Sequence, residues 1–70
     1  MISDRLEHLV DEMVSKGVHF EDAVREFEKR FIHRVLQSCD GSLTKASDAL
    51  GIHRNTLTRK ITAYKLKRRA

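Results

Sequence analysis

Residues 53–60 read His53-Arg54-Asn55-Thr56-Leu57-Thr58-Arg59-Lys60, a run of polar and basic side chains with no carboxylate and one apolar residue. Arginine carries a rigid fork of donors that fits guanine O6 and N7, asparagine and threonine reach base edges or phosphates, and lysine adds a mobile point charge. Ser42, Thr44 and Lys45 stand where another, shorter helix is expected to begin, and a helix start aims backbone N–H groups at anions. These types in this order suit the binding of a polyanion. Covalent chemistry has no matching set. No nucleophile lies near a base and an orienting acid in a recognisable pattern, and there is no glycine-rich phosphate loop. The chain is therefore expected not to be an enzyme, to need no cofactor and to take no small-molecule substrate.

Charge distribution points the same way. Residues 1–40 hold 6 basic and 9 acidic side chains, a net of −3, whereas residues 41–70 hold 8 basic and 1 acidic, a net of +7. An acidic first part and a strongly basic last thirty residues suggest that the C-terminal part meets an anionic partner. The single cysteine, Cys39, excludes an internal disulfide and a zinc-finger framework, and is expected to pack as a small apolar residue. His8, His19 and His33 share neither a helical face nor a ligand spacing, so no metal site is expected. No apolar run approaches the ~20 residues of a membrane span. The start Met1-Ile2-Ser3-Asp4 lacks the marks of a signal peptide. The expectation is a soluble cytoplasmic protein, at the nucleoid if the polyanion is DNA, with no membrane partner.

With 70 residues, no proline and glycine only at positions 17, 41 and 51, the chain reads as all-α with three punctuation points. A first helix over about residues 4–16 gathers Ile2, Leu6, Leu9, Val10, Met13 and Val14 on one side, with Ser3 as its cap and Lys16-Gly17 as its stop. A second, over about residues 20–38, carries Phe20, Ala23, Val24, Phe27 and Phe31 as one stripe. From residue 31 onward, Ile32, Val35, Leu36 and Cys39 widen that stripe to a second face. One amphipathic neighbour cannot cover both faces, so other parts of the chain, a second copy, or both must pack there. So small a chain buries little surface by itself, which makes a partner the expected remedy.

Gly41 is expected to end the second helix, with Asp40 in the turn. A short third helix runs from the Ser42 cap through Leu43–Leu50 to Gly51, with Ala46 and Ala49 small enough for close approach. After Gly51-Ile52-His53 a fourth helix begins near Arg54 and reaches about Tyr64, turning Leu57, Ile61 and Tyr64 inward. Its outer face holds Asn55, Thr56, Thr58, Arg59 and Thr62, with Lys60 at the edge. Two helices joined by a glycine turn, the second apolar inside and basic outside, form the helix-turn-helix pattern of major-groove readers.

The run Gly41-Ser42-Leu43-Thr44-Lys45-Ala46, then Ala49-Leu50-Gly51-Ile52-His53-Arg54-Asn55-Thr56-Leu57-Thr58-Arg59-Lys60-Ile61, resembles the DNA-binding domain of the Fis family. It is especially similar to the Fis-type C-terminal domain of NtrC-like enhancer-binding activators. The resemblance implies a homodimer, with residues 1–40 as intertwined dimerisation helices and residues 41–70 as a helix-turn-helix unit with a basic tail, all in one compact domain. It also implies bending of double-stranded DNA with loose sequence preference, in a transcription regulator or nucleoid-associated protein of bacteria. Carried over by position, Arg54 is the principal base contact. Thr56, Arg59 and Lys60 meet phosphates or nearby bases, and Ser42, Thr44 and Lys45 grip the backbone. The dimer core falls to Leu6, Leu9, Val10, Met13, Phe20, Val24, Phe27 and Phe31.

His53 stands where Fis has an asparagine, and it suggests a phosphate contact that varies with pH. Thr58, Thr62 and Ala63 make this recognition helix less basic than that of Fis, with Lys65, Lys67, Arg68 and Arg69 as compensation. The β-hairpin arm of Fis is not expected, since the sequence begins directly at the first helix, and so a recombinase-activating role is not expected. The ATPase domain of the activators is not among these residues either, which leaves a free-standing small regulator or a fragment. The competing reading is a dimeric helical interaction module whose basic half binds RNA or an acidic protein. It is disfavoured because RNA modules add exposed aromatics on a sheet.

Overall fold

The computed structural model describes residues 1–66 and contains four helices: α1 (Ile2–Ser15), α2 (Phe20–Ser38), α3 (Leu43–Leu50) and α4 (Arg54–Tyr64). The all-α expectation holds, and α2, α3 and α4 have the bounds that caps and glycines predict. Helix α1 begins earlier than expected. Met1 is its N-cap and no side chain caps it, so Ser3 lies inside the first turn rather than at its head.

All four helices end in the same way. After α1, the Gly17 N–H donates to the Val14 carbonyl and the Val18 N–H to the Met13 carbonyl, with Gly17 left-handed at φ +73. Gly51 does the same for α3 at φ +72, with Ile52 bonded back to Ser47. These are Schellman closures, in which glycine takes the left-handed position without a Cβ penalty. At the end of α2 the glycine falls one residue late. Asp40 takes the first left-handed position at φ +52, and Gly41, at φ +79, bonds back to Leu36. The turn is thus made by Asp40 and Gly41 together, with Asp40 in the turn as expected. Lys65 closes α4 at φ +54.

The buried apolar core consists of Ile32, Leu36, Ala46 and Leu57. Val35, Cys39, Leu43, Leu50, Ile52, Ile61, Tyr64 and Leu66 pack around it half-buried. Helix α2 packs on α3, and α3 packs on α4. Ala46 makes the close approach expected of a small residue, but Ala49 faces solvent, and the second small buried residue of α3 is Ser47. Ser47 is accommodated because its hydroxyl donates to the Thr44 carbonyl at 3.0 Å.

Helix α1 buries no residue. Leu6, Leu9, Val10, Phe20, Val24, Phe27 and Phe31 are all exposed in the single chain, and Met13 is half-buried. The radius of gyration is 13.5 Å, against about 11 Å for a compact chain of this length. The packed unit is therefore the second half of α2 with α3 and α4, from which α1 and the first half of α2 extend an apolar surface.

Candidate nucleic-acid interface

The helix-turn-helix is built by local chemistry. Ser42 adopts an extended conformation and its Oγ accepts the Lys45 N–H at 3.3 Å, which starts α3. Gly51 redirects the chain, and Ile52 packs against the core at the corner. His53 then caps α4, its Nδ1 accepting the Asn55 N–H at 3.0 Å. Histidine thus replaces the usual oxygen cap. The accepting Nδ1 leaves the other ring nitrogen, Nε2, as the edge that can meet a ligand.

Leu57, fully buried, seats α4 against α2 and α3. On the opposite side Asn55, Thr58, Arg59 and Thr62 are exposed, Arg54 is exposed at the start of the helix, and Thr56 is half-buried. The Thr58 hydroxyl donates to the Arg54 carbonyl at 3.0 Å and the Thr62 hydroxyl to the Thr58 carbonyl at 3.1 Å. Both oxygens keep lone pairs toward solvent. Ion pairs join Asp22 to Arg25, Glu26 to Arg30 and Glu28 to Lys60. Among the described residues none reaches Arg54, Arg59, Lys45 or Lys65, so these cations are unneutralised and available to a polyanion. Thr44 and Lys45 lie exposed at the start of α3, and Lys65 is exposed beyond α4. Lys67, Arg68 and Arg69 lie outside the described residues.

Lys60 differs from the other candidates. Its ammonium donates to Glu28 Oε1 at 2.7 Å, while the Tyr64 hydroxyl donates to Glu28 Oε2 at 2.5 Å. The hydrogen bonds from Lys60 and then Tyr64 hold the Glu28 carboxyl below the usual carboxylate range. The same partner raises both the Lys60 ammonium and the Tyr64 phenol. Sequence reading overlooked Glu28, although the signal was present. Position 28 precedes Ile32, Val35, Leu36 and Cys39 at the spacing of the inward line of α2, and a carboxylate there calls for a cation opposite.

The profile of bacterial regulatory proteins of the Fis family matches residues 23–64, which include most of α2, both helices of the motif and the Glu28, Lys60 and Tyr64 cluster. A Xylella fastidiosa protein named as a Fis-like DNA-binding protein is 42% identical over 43 residues, covering 61% of this chain and 48% of the relative. The matched part thus spans about half of that relative's length. No solved structure matches. Because the matched residues coincide with the helix-turn-helix and the helix that supports it, the chain belongs to the Fis family of bacterial regulatory proteins.

Proposed function

We propose that this chain is a homodimeric, DNA-bending regulator of transcription or nucleoid organisation that reads the major groove of double-stranded DNA with α4. The observation that carries the reading is the outer face of α4, where Arg54, Asn55, Thr58 and Arg59 are exposed without carboxylate partners above a buried Leu57. Arg54 in the first turn projects deepest and reads a base edge. Arg59, Thr56 and the His53 ring edge meet phosphates, and Ser42, Thr44 and Lys45 present the start of α3 to the backbone. The relative from Xylella fastidiosa carries DNA binding in its name, which supports the same polyanion for this chain.

Residues 1–40 act as the dimerisation part and residues 41–70 as the DNA-binding part. The exposed side chains Leu6, Leu9, Val10, Phe20, Val24, Phe27 and Phe31 are too many and too contiguous to face water unaided. An isologous pairing of two chains covers them and sets two recognition helices at opposite ends. No helix among the described residues is long and apolar enough to cross a membrane.

Selection from a random-sequence duplex pool at fixed salt, followed by gel shift, tests the reading. A two-fold symmetric site bound more tightly than random duplex is expected, with affinity falling steeply as salt rises. Arg54→Ala should lose about 1–3 kcal/mol on the selected site and less on random duplex. Binding that ignores salt and prefers an acidic protein or RNA would refute the DNA assignment.

A further inference from the structure

We propose that Glu28 is the positioning residue of the recognition helix, holding α4 at a fixed pitch on α2 and withholding Lys60 from DNA phosphates. The proposal rests on the DNA-binding reading above and specifies how its groove-reading face is set.

Lys60 and Tyr64 are one turn apart on α4, so their side chains lie along one edge of the helix. One carboxylate on α2 receives both, one on each oxygen, at 2.7 and 2.5 Å. Among the described residues this is the only side-chain hydrogen bonding between α2 and α4. The apolar core fixes the depth of α4 through the fully buried Leu57, with Ile61 and Tyr64 only half-buried beside it, so polar ties at the edge of the helix add to the control of its rotation. Two hydrogen bonds one turn apart constrain that rotation, and with it the direction in which Arg54, Asn55 and Arg59 point.

The tie also decides which cations reach DNA. Position matching to the family assigns Lys60 to phosphate, yet its side chain is only 32% exposed and its ammonium is neutralised by Glu28. Releasing it for a phosphate would strand a carboxylate close to the polyanion. Among the described residues Arg54, Arg59 and Lys45 lack such a partner, so the cations that displace counterions are these and not Lys60. Glu28 also lies beside Phe27 and Phe31 in the groove that Leu50, Ile52 and Lys60 close from the other side. A second chain seated on those rings would therefore bear on the residue that orients α4.

The test uses the full chain, its selected duplex and a random-sequence duplex, titrated by fluorescence anisotropy across a salt series. Glu28→Gln keeps the side-chain volume and one acceptor while freeing Lys60. It should steepen the slope of log affinity against log salt by about 0.9 for each released lysine, hence by about 2 per dimer, and reduce the preference for the selected duplex. Lys60→Met in the parent should leave the slope unchanged. An unchanged slope in Glu28→Gln, or a slope lowered by about 0.9 per chain in Lys60→Met, overturns the proposal.

A parent chain that binds neither duplex overturns the DNA-binding reading instead. The geometry has its own readout, because Tyr64 is the only tyrosine. Tyrosinate absorbance should titrate above the ordinary tyrosine range in the parent and return toward it in Glu28→Gln. Identical titrations in the two proteins would show that the tie does not form. Far-UV circular dichroism verifies that each variant is folded.

Discussion

Replacing Phe27 and Phe31 together by alanine probes the proposed pairing of two chains most directly. The rings lie one turn apart on α2, 5.4 Å between centroids and inclined at 42°, so they form one apolar knob. Phe27 is 55% exposed and Phe31 50% exposed in the single chain, which leaves half of each ring for a partner to cover. Full burial of such a side chain contributes about 1.5–3 kcal/mol, so half a ring contributes about 1 kcal/mol. Across a two-fold interface each substitution occurs twice, and four half-rings amount to about 4 kcal/mol. At 1.4 kcal/mol per decade the dissociation constant should rise by about three orders of magnitude. Sedimentation velocity over a concentration series gives the constant for the parent, for Phe27→Ala/Phe31→Ala and for Lys29→Ala, a control at an exposed position on the polar side of α2. A parent that sediments as a monomer at micromolar concentration, or a double variant within tenfold of the parent, would refute the reasoning.

Leu57→Ala empties the centre of the core, where the side chain is fully buried, and should cost about 2–5 kcal/mol in thermal or urea unfolding, enough to unfold much of so small a domain. Asp40→Gly should stabilise by about 0.5–1 kcal/mol, because the left-handed conformation at φ +52 penalises a Cβ; a lowered melting temperature would contradict this. Ser42→Ala removes the acceptor for the Lys45 N–H and should cost about 1 kcal/mol, read from melting curves. The Glu28 carboxyl titrates lower in the folded chain than in the unfolded one, so its stabilisation is present above the ordinary carboxylate range and is lost as pH falls through the lowered value. Lys60 titrates higher when folded, so its share is present below the ordinary lysine range and is lost as pH rises through the raised value. With both side chains about a third exposed, the tie contributes about 1 kcal/mol after screening. The stability difference between the parent and Glu28→Gln should therefore be level through neutral pH and shrink only at the two extremes, and a maximum confined to the acid side would contradict it.

The sequence was most legible where one residue type has one geometric use. Ser42 before Leu43, Gly51 after Leu50, and Leu57 followed by Ile61 and Tyr64 bounded and oriented the helix-turn-helix, because caps, left-handed turns and inward spacing leave few alternatives. Reading failed where tertiary context chose between equals. Ser3 had the chemistry of a cap, but Met1 took the place. Ala46 and Ala49 were alike in size, and only Ala46 faced α2 and α4. Glu28 went unread as a site residue because the side chains it binds, Lys60 and Tyr64, lie 32 and 36 residues away and only the tertiary fold brings them to it.

The bare face of α1 has a consequence beyond assembly. A helix that buries nothing of its own is held folded by whatever covers it, so if its cover is a second chain, the amount of protein with α1 covered depends on the square of chain concentration where monomers dominate. Halving synthesis would then remove about three-quarters of the dimer, and the uncovered chains would be the ones presented to proteases. Such a chain would respond to its own abundance more sharply than in proportion, with no effector, simply because its first helix was left without a core of its own.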